Sequence, residues 1–293
     1  MTTTDQTPTT YTPEHVRREV EEQGISVVRG AFPRAWAEAL DEDLCREFTR
    51  ALRTPGGVAA RGWNRFYFEP YAEHVRGFWD LAAHPLVVEL SEAMFGPEWK
   101  IVELGSDIPL PGAENQPWHR DFPTPKATRE HRRLTSVAIN ASSVDVVEGP
   151  FQAVPGTHFD DGSQFEGGMF PADELAPQYD ERLVSFYAKA GNFSVRSGLM
   201  LHRGSAMSTG ARMRPVAILG IVAPDDRAVV DRLADEGDRK PPRLRMSQEA
   251  YDRVEPRLRD HLSIEIVSET TATLPPYRTE HSFEGLKMDQ RKS

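Results

Sequence analysis

Residues 134–158 read LTSVAINASSVDVVEGPFQAVPGTH, two short runs of β-type residues on either side of a Gly-Pro turn. The same texture extends outward. WKIVELGSDI (99–108) precedes the stretch, and RLVSFYAKAG (182–191), FSVRSGLMLHRG (193–204) and RPVAILGIVAP (214–224) follow it. Short strands set apart by proline and glycine turns, with no helix alternating between them, predict a sandwich or barrel rather than a βαβ sheet.

Upstream the signals are helical. In TPEHVRREVEEQG, Thr12 is placed to cap, Pro13 to occupy the first helical position and Gly24 to close a helix over 13–23. ISVVRG (25–30) reads as a short strand. PRAWAEALDEDLCREFTRAL (33–52) reads as an amphipathic helix with Trp36, Leu40, Leu44 and Phe48 on one face, and HPLVVELSEAMFG (84–96) as a third helix. Charged helical patterns return in DDRAVVDRLADEGDRK (225–240) and SQEAYDRVEPRLRDHL (247–262). The expected organisation is a disordered Thr/Pro-rich tail over 1–12 and one domain over 13–293. Within it, helical support covers 13–98, the β core covers 99–224, and a helical insertion near 225–261 leads into the C-terminal segment.

The chain has 293 residues and is 39% hydrophobic, enough for a real core. Its formal net charge of −10 and scattered basic residues lack the electrostatic footprint of a nucleic-acid binder, so a small-molecule substrate is expected and no nucleic-acid partner. A single cysteine, Cys45, excludes a disulfide framework and a cysteine-based zinc site, which fits a reducing cytoplasm. VAILGIV, the longest apolar run, is too short to span a bilayer, and the N-terminal stretch has no apolar signal core, so no membrane partner is expected. No stretch specifies an oligomeric state.

The chemistry begins at QPWHRDFPTP (116–125). His119 and Asp121 are two positions apart, and on a strand end such residues project to the same side, leaving Arg120 to point outward. With nine histidines in the chain the triplet can arise by chance, and His158-Phe159-Asp160 repeats it. A third ligand is needed for a two-histidine, one-carboxylate face. His202 in SGLMLHRGS is the best candidate, because it follows an apolar strand and enters a Gly/Ser turn. The interval from Asp121 to His202 holds several strands, enough for a jelly roll to bring the two segments together, whereas the interval from Asp160 is about half as long. Beyond His202, Arg212 and Arg214 enter the next strand on one parity, and a guanidinium there suits the distal carboxylate of a dicarboxylic co-substrate.

Taken in order, QPWHRD, EGPFQAVPGTH, AGNFSVRSGLMLHRGS and ARMRPVAI resemble the phytanoyl-CoA dioxygenase family of iron(II)/2-oxoglutarate oxygenases over roughly residues 99 to 222. The resemblance implies a mainly β fold with flanking helices, built on a double-stranded β-helix of cupin-like jelly-roll type. It implies His119, Asp121 and His202 as iron ligands, one arginine as the 2-oxoglutarate anchor, and iron(II), 2-oxoglutarate and O2 as cofactor and co-substrates. The family's usual anchor position falls on Met213, so both Arg212 and Arg214 stay in view, with the RPVAI strand start favouring Arg214. His158 and Asp160 fall in a turn that shapes the barrel.

Ser205 and Gln116 are candidates to hydrogen-bond co-substrate or the ligand shell. Trp118, Phe122, Tyr67, Phe68 and Trp63 are weaker candidates for the substrate wall, since aromatics near a barrel more often form core. His15, His74, His84, His131, His261 and His281 have no partner spacing and are expected on the surface. In the family's halogenating members a small residue replaces the carboxylate, so Asp121 implies hydroxylation, desaturation or epoxidation of a small secondary-metabolite or amino-acid-derived substrate. Two rivals remain: a binding protein with a vestigial metal site, and a zinc hydrolase using Glu114 as its general base.

Overall fold

The computed structural model describes residues 11–121, 136–162, 164–224 and 244–266. Helix α1 (Pro13–Gln23) starts where the Thr12 hydroxyl accepts from the His15 N–H at 3.2 Å and ends at Gly24, whose φ of 87° is open to glycine. Strand β1 (Ile25–Val28) follows, then α2 (Arg34–Leu52), which buries Leu40, Leu44 and Phe48 as its periodicity requires.

The first hundred residues are less purely helical than their sequence suggests. A hairpin of β2 (Ala59–Gly62) and β3 (Arg65–Phe68) turns through Asn64 at φ 52°, and a short helix α3 (Arg76–Ala82) precedes α4 (Pro85–Phe95). The core is therefore not confined to residues beyond 99, because β1, β2 and β3 all join the main sheet. Then come β4 (Lys100–Pro109), β5 (Ser136–Ser142), β6 (Phe151–Ala153), α5 (Ala176–Asp180), β7 (Val184–Phe186), β8 (Phe193–Ser197), β9 (His202–Gly204) and β10 (Val216–Val222). The run FSVRSGLMLHRG, read as one β stretch, is two strands in different sheets.

Seven strands form the major sheet in the order β1-β8-β5-β10-β4-β3-β2, antiparallel at every pairing, and β7-β6-β9 form a minor sheet. Register separates the faces of the major sheet. Leu104, Leu219, Ile139 and Val195 stand directly opposite one another across four strands and are all buried in the main apolar cluster, against Val16, Val20, Leu40, Phe78 and Leu90. Each such side chain contributes roughly 1.5–3 kcal/mol on burial. One residue along, the row Glu103, Gly220, Ala138 and Arg196 faces the other way.

The minor sheet covers that second face. The Arg65 Nη2 donates to the Ser205 carbonyl at 3.0 Å, and the Arg196 guanidinium carbon lies 5.3 Å from the Phe151 ring centroid. The two sheets enclose a polar space, the jelly-roll arrangement expected of this sequence.

Of the C-terminal helical signals, residues 225–243 lie outside the described residues. The second run splits at Pro256 into α6 (Gln248–Arg253) and α7 (Pro256–Arg259), between the parallel strands β11 (Leu244–Met246) and β12 (Ile264–Ile266). His261 is not on the surface: it stacks on Trp99 with centroids 3.9 Å apart and its Nδ1 meets the Trp99 carbonyl at 2.9 Å. The Trp99 ring supplies a face that a half-polar imidazole can cover. His84 is half-buried, edge-on to Phe32 and Phe193, and burial holds its imidazole below the ordinary range. His131 and His281, and most of the 1–12 tail, lie outside the described residues. No helix among the described residues is long and apolar enough to cross a membrane.

Candidate metal centre

His119 and His202 stand opposite one another on neighbouring chain segments. The His119 N–H donates to the His202 carbonyl at 3.1 Å and the His202 N–H to the His119 carbonyl at 3.0 Å, adding residue 119 to the free side of β9. Asp121 follows, its N–H donating to the Gly198 carbonyl at 3.0 Å in the bend that leads from β8 to β9. One donor atom from each of His119, Asp121 and His202 falls within 4.8 Å of the others.

The imidazoles are set in the same way. Nδ1 of His119 meets the Pro117 carbonyl at 2.9 Å, and Nδ1 of His202 meets the Met200 carbonyl at 2.9 Å. A carbonyl only accepts, so each Nδ1 carries the proton and each Nε2 is the ring's donor atom for a metal. His202 Nε2 lies 3.4 Å from Asp121 Oδ1. Two imidazoles and one carboxylate, gathered on one side, fit a divalent ion with further positions left for other ligands.

The electrostatics agree with that donor set. Burial, then the neighbouring His202, pushes the His119 imidazole well below its ordinary range, so it is neutral. Burial alone would raise the Asp121 carboxyl, but the Arg196 guanidinium and the two histidines outweigh it and hold the carboxyl well below the usual range. Arg196 Nη2 sits 2.9 Å from Asp121 Oδ2, while Nη1 donates to Asn140 Oδ1 at 2.7 Å. Asp121 thus presents Oδ1 towards His202, while Arg196 Nη2 contacts both of its oxygens.

Arg120, expected to point outward, is fully buried: its Nη2 donates to the carbonyls of Thr157 and Asp160 at 2.7 and 2.9 Å and its guanidinium lies 4.8 Å from the Phe165 ring centroid. Carbonyls of the 157–160 turn make burial of a cation tolerable. The second H-x-D belongs to this same turn. His158 Nε2 meets the Glu21 carbonyl at 2.9 Å, and a Cβ on Gly24 would stand 2.8 Å from His158 Nδ1, so the ring fastens the end of α1.

The two candidate anchors differ sharply. The Arg212 side chain is 79% exposed and pairs with Asp41 at 3.0 Å. Arg214 is buried, its Nη2 donating to the Gly149 carbonyl at 2.7 Å, with no partner for its Nε among the described residues. Burial, then the positive charge of Arg65, brings its guanidinium down to about 10. Arg65, also buried, pairs with Asp107 at 2.9 Å, and a Cβ on Gly204 would collide with its guanidinium. Asp107 pairs with Arg65, and its charge only partly offsets the burial of Arg214.

Ser205 donates to the Pro150 carbonyl at 2.7 Å, and Gln116 bridges the Arg61 carbonyl and the Gly204 N–H at 3.1 and 2.8 Å. Both fasten the strands that carry the ligands. Trp118 packs with Val154, Phe165, Tyr179 and Leu201 and donates to Asp180 at 3.1 Å, and Phe68 is buried with Phe48, Ala51 and Ile108. Trp63 is half exposed at the β2–β3 turn, and Phe122 lies outside the described residues. Tyr67 lies on the polar face, its hydroxyl 2.7 Å from Glu103 Oε1 and 2.9 Å from Glu69 Oε1. Glu114 is exposed on its loop. Arg196, Asn140, Arg65 and Glu103 were not singled out from the sequence, because only strand register reveals that they share the enclosed face.

A family model described as phytanoyl-CoA dioxygenase (PhyH) matches residues 20–216. No curated protein matches the chain. Two solved structures of HygX from Streptomyces hygroscopicus are similar in fold. One, with nickel, 2-oxoglutarate and hygromycin B bound, is 13% identical with a TM-score of 0.54, covering 72% of this chain and 87% of that one. The other, with nickel and 2-oxoglutarate, is 12% identical with a TM-score of 0.54, covering 74% and 89%.

Proposed function

This chain belongs to the phytanoyl-CoA dioxygenase family, and from that premise we propose that it is an iron(II)- and 2-oxoglutarate-dependent oxygenase that hydroxylates a C–H bond of a small molecule. The observation that carries the reading is the convergence of His119, Asp121 and His202 with both imidazoles preset to offer Nε2. The binding of nickel and 2-oxoglutarate by HygX supports the same pairing of metal and co-substrate here.

In this reading His119, Asp121 and His202 hold iron(II), and Arg214 takes the distal carboxylate of 2-oxoglutarate. A buried guanidinium whose positive neighbour Arg65 already makes the spot cation-rich is relieved by an incoming carboxylate, and the Nε of Arg214 is oriented by the same burial. Arg212, in solvent and paired with Asp41, has no such role. When bound, iron(II) supplies activation of O2, and the balance is substrate C–H, O2 and 2-oxoglutarate giving C–OH, succinate and CO2. The protein's own part is orientation: backbone carbonyls fix the histidines, Arg196 fixes the carboxylate, and the two sheets limit access of water. Asp121 occupies the position that a halide would need, which directs the outcome to oxygen insertion rather than halogenation.

Anaerobic addition of iron(II) and 2-oxoglutarate tests this. The expected result is a visible charge-transfer band with the native protein and none with His119→Ala. Absence of the band from the native protein, with metal and co-substrate in excess, overturns the proposal.

A further inference from the structure

Glu103, on the face that carries the candidate metal centre, has no ion-pair partner among the described residues, although the charges of Arg61 and Arg196 reach it. Asp121 is paired with Arg196 at 2.9 Å and Asp107 with Arg65 at 2.9 Å. Glu103 accepts one hydrogen bond, from the Tyr67 hydroxyl to Oε1 at 2.7 Å, and makes no ion pair with any described residue. It is half-buried. Burial raises its carboxyl above the ordinary range and the charge of Asp121 adds to this, outweighing the Tyr67 hydroxyl and the charges of Arg61 and Arg196, which oppose it.

The direction of the side chain is fixed by what lies beneath it. A Cβ on Gly220 would stand 2.9 Å from Glu103 Oε2, so the second oxygen leans over the glycine towards the middle of the sheet. Behind it, Gly105 leaves room for the Tyr67 ring, since a Cβ there would meet the tyrosine hydroxyl oxygen at under 3 Å. Across the sheet the row runs Glu103, Gly220, Ala138, Arg196, and Arg196 holds Asp121. Strands are about 4.8 Å apart, so the two ends of the row are roughly 14 Å apart along the sheet. Between them the floor consists of a glycine and an alanine. A small molecule lying on that floor reaches the metal ligands at one end and Glu103 Oε2 at the other.

The charge decides the class of molecule. An apolar chain would strip water from Glu103 and return nothing, and an anion would be repelled by it. An ammonium group gives Oε2 a charge-assisted hydrogen bond and offsets both the burial and the nearby Asp121. Resting on the oxygenase reading above, we propose that Glu103 determines substrate specificity, accepting through Oε2 an ammonium group of a small amine-bearing substrate that lies across Gly220 and Ala138.

The test uses the full-length protein loaded anaerobically with iron(II) and 2-oxoglutarate. Calorimetric titration is run with L-lysine, putrescine, glucosamine and 2-deoxystreptamine, each beside its N-acetylated form. The proposal expects binding of an amine, a loss of about tenfold or more on acetylation, and the same loss in Glu103→Gln, as befits one charge-assisted hydrogen bond. Metal and 2-oxoglutarate affinities of Glu103→Gln should match the native protein, which reports that the variant is folded. Equal binding of amine and acetylated forms, equal binding by Glu103→Gln, or no binding of any amine overturns the assignment of Glu103. Failure of the native protein to take up 2-oxoglutarate overturns the oxygenase reading instead, and the two failures are read from separate titrations.

Discussion

Arg196 Nη2 contacts both oxygens of Asp121, at 2.9 Å to Oδ2 and 3.2 Å to Oδ1, and the guanidinium is itself held by Asn140 and buried. A carboxylate gripped in this way has one preferred orientation before any metal arrives. Arg196→Gln should therefore weaken iron(II) affinity by about 10–100-fold, the usual cost of losing a partner that orients a ligand. Anaerobic competition with a chromophoric chelator measures this. Unchanged affinity in a folded variant removes Arg196 from the site.

The two arginines before β10 give a paired prediction. Arg214→Ala should lower 2-oxoglutarate affinity by about 100-fold, as expected when a buried bidentate contact to a carboxylate is lost. Arg212→Ala, which breaks only an exposed pair with Asp41, should leave that affinity within about twofold of native, given the small worth of surface pairs. Titration of each variant with 2-oxoglutarate decides, and the reverse ranking would place the anchor on Arg212.

Acid should destabilise the metal-free protein in two stages. His119 has its folded pKa below the unfolded value, so between that value near 6.5 and its own lowered one the unfolded chain binds a proton that the folded chain refuses, and stability falls with pH. Asp121 has a lowered folded pKa, so its contribution is present above the unfolded value near 3.9 and is lost as pH falls through the folded one. Urea midpoints should decline from pH 7 to 5 and again below about 4. Bound iron(II) should flatten the first decline. A midpoint that rises on acidification from pH 7 to 5 contradicts the burial of a neutral His119.

Gly105→Ala should cost about 1–3 kcal/mol, the range for inserting a methyl group into packed structure. Its Cβ would collide with the Tyr67 hydroxyl oxygen, forcing the ring away from Glu103. Urea unfolding of the variant checks the magnitude, and an unchanged midpoint would mean that the ring has room to move.

The candidate metal ligands were legible because QPWHRD and SGLMLHRGS carry their chemistry within short contiguous stretches. The jelly roll was legible for a similar reason, since proline and glycine turns punctuate each strand from 99 to 224. Arg196 and Glu103 were not legible, because each lies inside a β run, and its significance depends on which face the register gives it and on what stands across the sheet. The β2–β3 hairpin was missed although Gly62-Trp63-Asn64 between VAAR and RFYF is a turn signal, with Asn64 adopting the positive φ that asparagine tolerates. Helical surroundings on both sides concealed it. The burial of Arg120 was not legible, because strand parity predicts which way a side chain leaves the backbone and says nothing about the carbonyls of a distant turn waiting there.

The reciprocal main-chain bonds between His119 and His202 make one jaw of the site out of peptide rather than side chain. The ladder fixes the spacing of the two backbones, and the Nδ1 bonds to the Pro117 and Met200 carbonyls orient the rings upon them. Asp121 has one main-chain bond, to the Gly198 carbonyl, and its carboxylate is gripped by the side chain of Arg196. We expect adaptation among ions of different radius to fall on the carboxylate, so that substitutions at Arg196 shift the relative affinities for them.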